Sequence, residues 1–160
     1  MKQIIVARRD LHLSPGKLAA QVSHGSMAFL THMIQDHVVG EVFQGTGDNQ
    51  ELMKPNNVYR VENFDIDKNL YEQWINGSFT KCVLEAKNKN HLLKAKKIAE
   101  DLGMKEGEDF FLIKDNCYTE LEPEEFDEDG VGRTLTCIGF RPFDSETIDK
   151  IGKKYQLYKG

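Results

Sequence analysis

The sequence predicts an α/β protein, a three-layer α/β/α sandwich around a mixed, mostly parallel four-stranded sheet. Three observations carry that class. Short apolar runs at 3–7, 81–86, 109–113 and 133–140 read as strands, and stretches with a 3.6-residue repeat separate them. The order β–α–β–α–β, closed by a further strand and helix, places helices on both faces of a sheet. A hydrophobic fraction of 39% with 29% charged residues over 160 positions suits one domain spanning 1–160.

The first strand, 3–7, is followed by a helix from Ser14 to about residue 35. Ser14 is a good N-cap, and Pro15 suits the first turn, where its missing N–H has no intrahelical partner. Leu18, Val22, Phe29 and Met33 form a stripe that faces a core, whereas Lys17, Gln21 and His24 fall at i, i+4 and i+7 on another. Lys17 stands in the first turn, against the positive end of the helix dipole, so its position calls for a reason other than helix stability. From 37 to 63, Gly40, Gly45, Gly47, Asp48, Asn49, Pro55, Asn56 and Asn57 break any pattern. The segment 37–66 is expected to be an excursion with little regular structure beyond a short strand at 58–61. Asp65 or Asp67 caps a short helix that stops at Gly77, and the strand at 81–86 follows. A helix beginning at Asn88 or Asn90 buries Leu92, Ala95, Ile98, Ala99 and Leu102 and ends against Gly103. After the strand at 109–113, an acidic loop at about 120–132 leads to the strand at 133–140 and a helix near 145–151.

Charge is unevenly distributed. Seven acids and no base lie between Glu120 and Asp129, and removing them from the net charge of −5 leaves +2 for the rest of the chain. Residues 80–105 hold seven lysines against three acids, and Arg8, Arg9 and Lys17 add a second basic region. This surface is compatible with a polyanion, although on charge alone a solvated lysine-rich helix is the favoured reading. No apolar run approaches a membrane span, and the short segment 1–7 does not read as a signal peptide, which implies a cytoplasmic protein that engages no membrane. Cys82, Cys117 and Cys137 are odd in number and widely spaced, so neither a disulfide framework nor a zinc site is indicated. His24, His32 and His37 lack metal-ligand spacing, and no Gly-rich phosphate loop is present; no metal and no organic cofactor are expected.

In sheets of this class, sites gather at the carboxyl ends of parallel strands, which is where Asp115 falls. There a carboxylate can orient or deprotonate water and an ammonium such as Lys17 keeps it ionised, whereas the competing reading is a plain Asp115-Asn116 turn. Thr134 opens the last strand and could donate a hydroxyl hydrogen bond. Cys117 with His24 is the alternative nucleophile.

These blocks resemble the type-two peptidyl-tRNA hydrolases. Ile4-Ile5-Val6-Ala7-Arg8-Arg9-Asp10-Leu11 resembles the family's first strand and the Arg-x-Asp-Leu after it, and Gly16-Lys17-Leu18-Ala19-Ala20-Gln21-Val22-Ser23-His24 resembles its Gly-Lys-x-Ala-Ala-Gln-x-Ser-His helix. Gln73-Trp74 with Gly77, Ile113-Lys114-Asp115 with Thr119, and Thr134 with Ile138-Gly139 follow in the family's order. Where the family has Asp-Ala-Gly-Arg-Thr, this chain has Asp115-Asn116-Cys117-Tyr118-Thr119. The resemblance implies hydrolysis of the ester between a peptide and tRNA, with Lys17, Asp115 and Thr134 as catalytic residues. It implies Arg8, Asp10, Gln21, His24 and Thr119 as substrate-binding or supporting residues. The competing class is a non-catalytic RNA- or protein-binding module on the same scaffold. Peptidyl-tRNA is the expected partner, and a homodimer is left open.

Overall fold

The computed structural model describes residues 1–44 and 54–160. In chain order its elements are β1 (Gln3–Arg8), α1 (Pro15–Asp36), β2 (Val38–Gln44), β3 (Lys54–Val61), a π-helical segment (Leu70–Ser78), β4 (Lys81–Ala86), α2 (Lys89–Asp101), β5 (Phe110–Asp115), β6 (Glu125–Phe126), β7 (Gly132–Phe140), α3 (Ser145–Gly152) and β8 (Gln156–Leu157).

One sheet with strand order β5-β7-β1-β4-β8 carries the fold, and β6 pairs with β7 outside that path. Alternating side chains of β1 divide between its two faces. Ile4 and Val6 pack with Leu92, Ala95 and Ala99 of α2 and Ile148 and Ile151 of α3, whereas Ile5 and Ala7 pack with Leu18 and Val22 of α1. Helices therefore cover both faces, as the sequence predicts. The balance of strand directions needs correction. β1, β4 and β5 do point the same way, but β7 runs the other way between β1 and β5, so among the described strands β1 with β4 is the one parallel pair. The sheet also gains β6 and β8, two-residue strands too short to leave a periodic signal.

This interleaving positions the site. The carboxyl ends of β1 and β5 and the amino end of β7 meet at one edge of the sheet, and the register sets Asp115 opposite Thr134. One irregularity adds to it. Ile113 pairs with Cys137 and Lys114 with Leu135, so Thr136 is an extra residue on β7, a bulge that re-aims its side chain.

α1 crosses β7 at close range. A Cβ on Gly139 would stand 2.0 Å from the Gly25 carbonyl oxygen, so only hydrogen fits there. The excursion is also more ordered than its breakers suggest: β2 and β3 form an antiparallel hairpin in which Gly40 and the Val42/Phe43 step fall at register shifts. Val38, Val39, Val58, Tyr59 and Val61 supply its β-propensity and stay exposed. Gly45, Gly47, Asp48 and Asn49 lie outside the described residues. The helix expected before Gly77 is a π-helical segment, and Asp67 Oδ1 ahead of it accepts the Leu70 N–H at 2.9 Å. Among the described residues, no helix is long and apolar enough to cross a membrane.

Candidate active site

Lys17 Nζ lies 2.7 Å from Asp115 Oδ2 and donates to Thr119 Oγ1 at 3.2 Å. These two partners explain a cation in the first turn of α1. Its own Ser14 cap is held in turn by Glu120, whose carboxylate accepts the Ser14 N–H at 3.0 Å and the Ser14 hydroxyl. Those bonds keep the Glu120 carboxyl below its ordinary range, with Lys17 adding to them. One turn along α1 from Lys17, Gln21 Nε2 donates to the same Asp115 Oδ2 at 2.8 Å. The stripe of Lys17 and Gln21 read from helical spacing thus converges on one carboxylate.

Asp115 is 7% exposed at the end of β5. Burial alone raises its pKa. Hydrogen bonds from Lys17 and from the Cys117 N–H to Oδ1, with the charges of Lys17 and His24, outweigh that and hold the carboxyl below its usual value. The group is an anion with fixed donors on both oxygens, suited to orienting water at neutral pH.

Thr136 is the residue that sequence reasoning missed. Its hydroxyl donates to Gln21 Oε1 at 2.7 Å, which turns the amide so that its NH2 faces Asp115. Strict alternation puts Thr136 and Cys137 on opposite faces, yet Cys137 Sγ also reaches the α1 side, donating to Gln21 O at 3.3 Å. The bulge is what brings Thr136 there, and nothing in the sequence announces it. Replacing Gln21 with Leu is expected to lower kcat about tenfold with KM little changed and to raise the Asp115 pKa, because one donor of roughly 1.4 kcal/mol is lost from a charged acceptor. Single-turnover kinetics and 13C-carboxyl NMR titration check the two halves of that expectation.

Thr134 is adjacent but otherwise engaged. It is fully buried, its hydroxyl donates to Glu122 O at 2.8 Å and accepts the Glu124 N–H at 3.1 Å, and Cys117 Sγ lies 3.4 Å away. Its proton is committed to the acidic loop and not to the Lys17–Asp115 pair. Arg8, expected to contact substrate, is 3% exposed. It donates to both carboxylate oxygens of Asp10 and of Glu124, at 2.7–3.1 Å, and to Leu135 O at 3.0 Å. With its donors taken, Arg8 is a strut that ties β1 to the acidic loop, and Asp10 orients that strut. His24 is exposed on the Lys17–Gln21 stripe. Among the described residues no hydrogen bond joins Cys117 to His24. Burial pushes the Cys137 thiol up to about 12, which leaves it without nucleophilic character. No cluster of three His, Cys, Asp or Glu among the described residues could hold a metal ion.

Four acids of the loop are engaged internally. Besides Glu120 on Ser14 and Glu124 on Arg8, Lys89 pairs with Glu124 at 3.1 Å, Glu125 pairs with Lys114, and Asp127 pairs with Arg133 at 2.9 Å. The hydrogen bond from Arg8 draws the Glu124 pKa down, against the effect of burial and with help from Lys89. A depressed pKa in the folded state adds stability above the unfolded value, lost as pH falls through the folded one. Glu124→Gln is therefore expected to cost about 2 kcal/mol at pH 7, a Tm drop of roughly 4–8 °C. That gap should close below about pH 4, where the wild-type carboxyl also protonates; thermal melts across pH check it.

Comparison with known proteins agrees in one direction. The sequence model of a family described as peptidyl-tRNA hydrolase PTH2 matches residues 1–158. Among similar proteins, a peptidyl-tRNA hydrolase of Methanopyrus kandleri is 33% identical over 151 residues, covering 94% of this chain and 91% of its own length. One of Haloquadratum walsbyi is 30% identical over 158 residues, covering 99% of this chain and 100% of its own. A third, from Thermoplasma acidophilum, is 24% identical over 156 residues, covering 98% and 97%.

Proposed function

The chain belongs to the PTH2 family of peptidyl-tRNA hydrolases, and from that premise we propose how its own residues perform the reaction. It cleaves the ester that joins a peptide to the terminal ribose of tRNA. Asp115 orients the attacking water and receives its proton as the water oxygen bonds to the carbonyl carbon. The Lys17 ammonium faces the negative charge that grows on the carbonyl oxygen, and the ester bond then breaks as the ribose oxygen takes up the proton. Gln21 and Thr136 hold Asp115 in place. Thr134 acts as a positioning residue, since its buried hydroxyl fixes the loop that carries Glu122 and Glu124; Thr119 steadies Lys17. The convergence of Lys17 and Gln21 on Asp115 is the single observation that carries this reading.

Phosphates of the tRNA meet Lys87 and Lys94. Lys87 and Lys94 are exposed at the start of α2 and take part in no ion pair among the described residues, whereas Lys89, Lys96 and Lys97 are already paired with acids. The test is release of peptide from peptidyl-tRNA by the purified chain with a chelator present. Turnover is expected to survive the chelator, and tRNA affinity should fall steeply, roughly tenfold or more between 50 and 200 mM salt. An affinity flat in salt, or tRNA binding with no peptide release, speaks against this reading. The chain is assigned to the cytoplasm, where translation supplies the substrate. The same proposal includes a homodimer joined through the apolar residues exposed on the β2–β3 hairpin; sedimentation at micromolar concentration tests it.

A further inference from the structure

At the start of α2, just past the carboxyl end of β4, a hollow of about 330 Å³ is lined by Lys87, Asn88, Asn90, His91 and Lys94. We propose that this hollow takes one backbone phosphate of the unpaired 3′ end of the tRNA, about four nucleotides from the ester, so that the protein gauges its substrate by single-strand length. The inference rests on the hydrolytic reading above and deepens it.

Charge argues for an anion there. The lining holds two exposed ammonium groups and no carboxylate, whereas Lys89, Lys96 and Lys97 of the same helix are matched by Glu124, Glu106 and Asp101. Burial and the charges of Lys94 and Lys87 hold the His91 ring below its ordinary pKa, so both lysines act on one place. The floor is fixed. His91 Nδ1 accepts the Lys87 N–H at 3.1 Å, the ring stacks on Tyr155 with centroids 4.7 Å apart, and the Tyr155 hydroxyl donates to His91 O at 2.8 Å. Asn88 Oδ1 accepts the His91 N–H at 2.9 Å, which leaves the NH2 of that amide as a donor.

Position sets the nucleotide. β5, β7, β1 and β4 are successive neighbours, and β4 points the same way as β1 and β5, so Lys87 and Asp115 belong to one edge of the sheet. Three inter-strand steps of about 4.8 Å put the end of β4 roughly 14 Å from that of β5. A stacked strand rises about 3.4 Å per nucleotide, so about four nucleotides bridge the ester and the hollow. Between them stands the end of β1, where Arg8 and Lys89 balance the carboxylates of Asp10 and Glu124. A phosphate backbone crossing there meets matched charge, and the first unmatched cations beyond it are those of the hollow.

The test compares peptidyl-tRNA with a series of shorter RNA strands, from a single nucleotide to about six, all carrying the same peptide ester at the 3′ end, under single-turnover conditions. Wild-type kcat/KM is expected to rise about fivefold as the strand grows long enough to reach the hollow, and little beyond that length. The rise should vanish in Lys87→Ala/Lys94→Ala and return in Lys87→Arg/Lys94→Arg, since a phosphate contact needs the charge. On the longer strands the alanine variant should also show a salt slope shallower by about 0.7, the loss of one phosphate contact to a single strand. Three results overturn the proposal: a wild-type rate independent of strand length, an alanine defect as large on a single nucleotide as on the longest strand, or a defect confined to whole tRNA, which assigns the lysines to its duplex. A wild type that releases no peptide even from whole tRNA is a distinct result, which removes the hydrolytic site itself.

Discussion

Asp115→Asn is expected to reduce single-turnover hydrolysis of peptidyl-tRNA by a factor of a hundred or more, with the fold intact by circular dichroism. The amide keeps the size of the carboxyl but can neither take a proton from water nor hold Lys17, which lies 2.7 Å from Oδ2. Lys17→Ala should fall by a similar factor, since one lost donor to a developing oxyanion typically costs about 3 kcal/mol of transition-state stabilisation. The double variant should be little slower than either single one, because two residues that act as a unit are not additive. If both single variants turn over near the wild-type rate, the assignment fails. A loss for Asp115→Asn with none for Lys17→Ala leaves the carboxylate as the reacting group and reduces the ammonium to its counter-charge.

The second large effect is expected at Gly139. Alanine there places its Cβ 2.0 Å from a backbone oxygen of α1, and backbone cannot rotate away as the end of a side chain can. Relief requires the helix to lift off β7, which should cost about 3 kcal/mol and roughly 6–12 °C in Tm. Activity should fall further than stability, since Lys17 and Gln21 ride on the helix that moves. Gly25→Ala, on the other side of the same crossing, meets Ile5 Cγ2 at 3.2 Å and Gly139 Cα at 3.4 Å, and is expected to be milder. Melting curves and single-turnover rates of the two variants check the order; a harmless Gly139→Ala would mean that α1 is not seated where its contacts place it.

The parts of this site that could be read from sequence were those encoded in helical spacing. Lys17 and Gln21 are four positions apart, and one turn of α1 brings both to a single carboxylate. Ser14, Pro15, Asn88 and Gly103 mark helix ends through local chemistry and do so here. What could not be read was set by pairing between distant segments. Nothing within 133–140 reveals that this strand slides between β1 and β5, and the bulge that aims Thr136 exists only in that register. Arg8 looks like a free cation in sequence because its neutralising partner, Glu124, lies 116 residues away. The acidic stretch likewise looks like an unsatisfied polyanion, although Arg8, Lys89, Lys114 and Arg133 close on its Glu124, Glu125 and Asp127. The hairpin at β2–β3 was obscured by turn-forming residues that its irregular register absorbs.

Because β5 and β7 are antiparallel neighbours, the chain leaves the sheet at Asp115 and returns to it at Thr134, directly opposite. The separation of those two residues is therefore set by inter-strand hydrogen bonds and not by the length of the intervening path. That path is a tether with both ends nailed to the same spot. Its span can grow or shrink, and its outer rim can be recoloured with charge or aromatic groups such as Tyr118, while the Asp115 carboxylate stays in place. The part of that path next to the sheet, Cys117 to Glu120, holds Asp115, Lys17 and Ser14, so only its outer part can drift without retuning the pair.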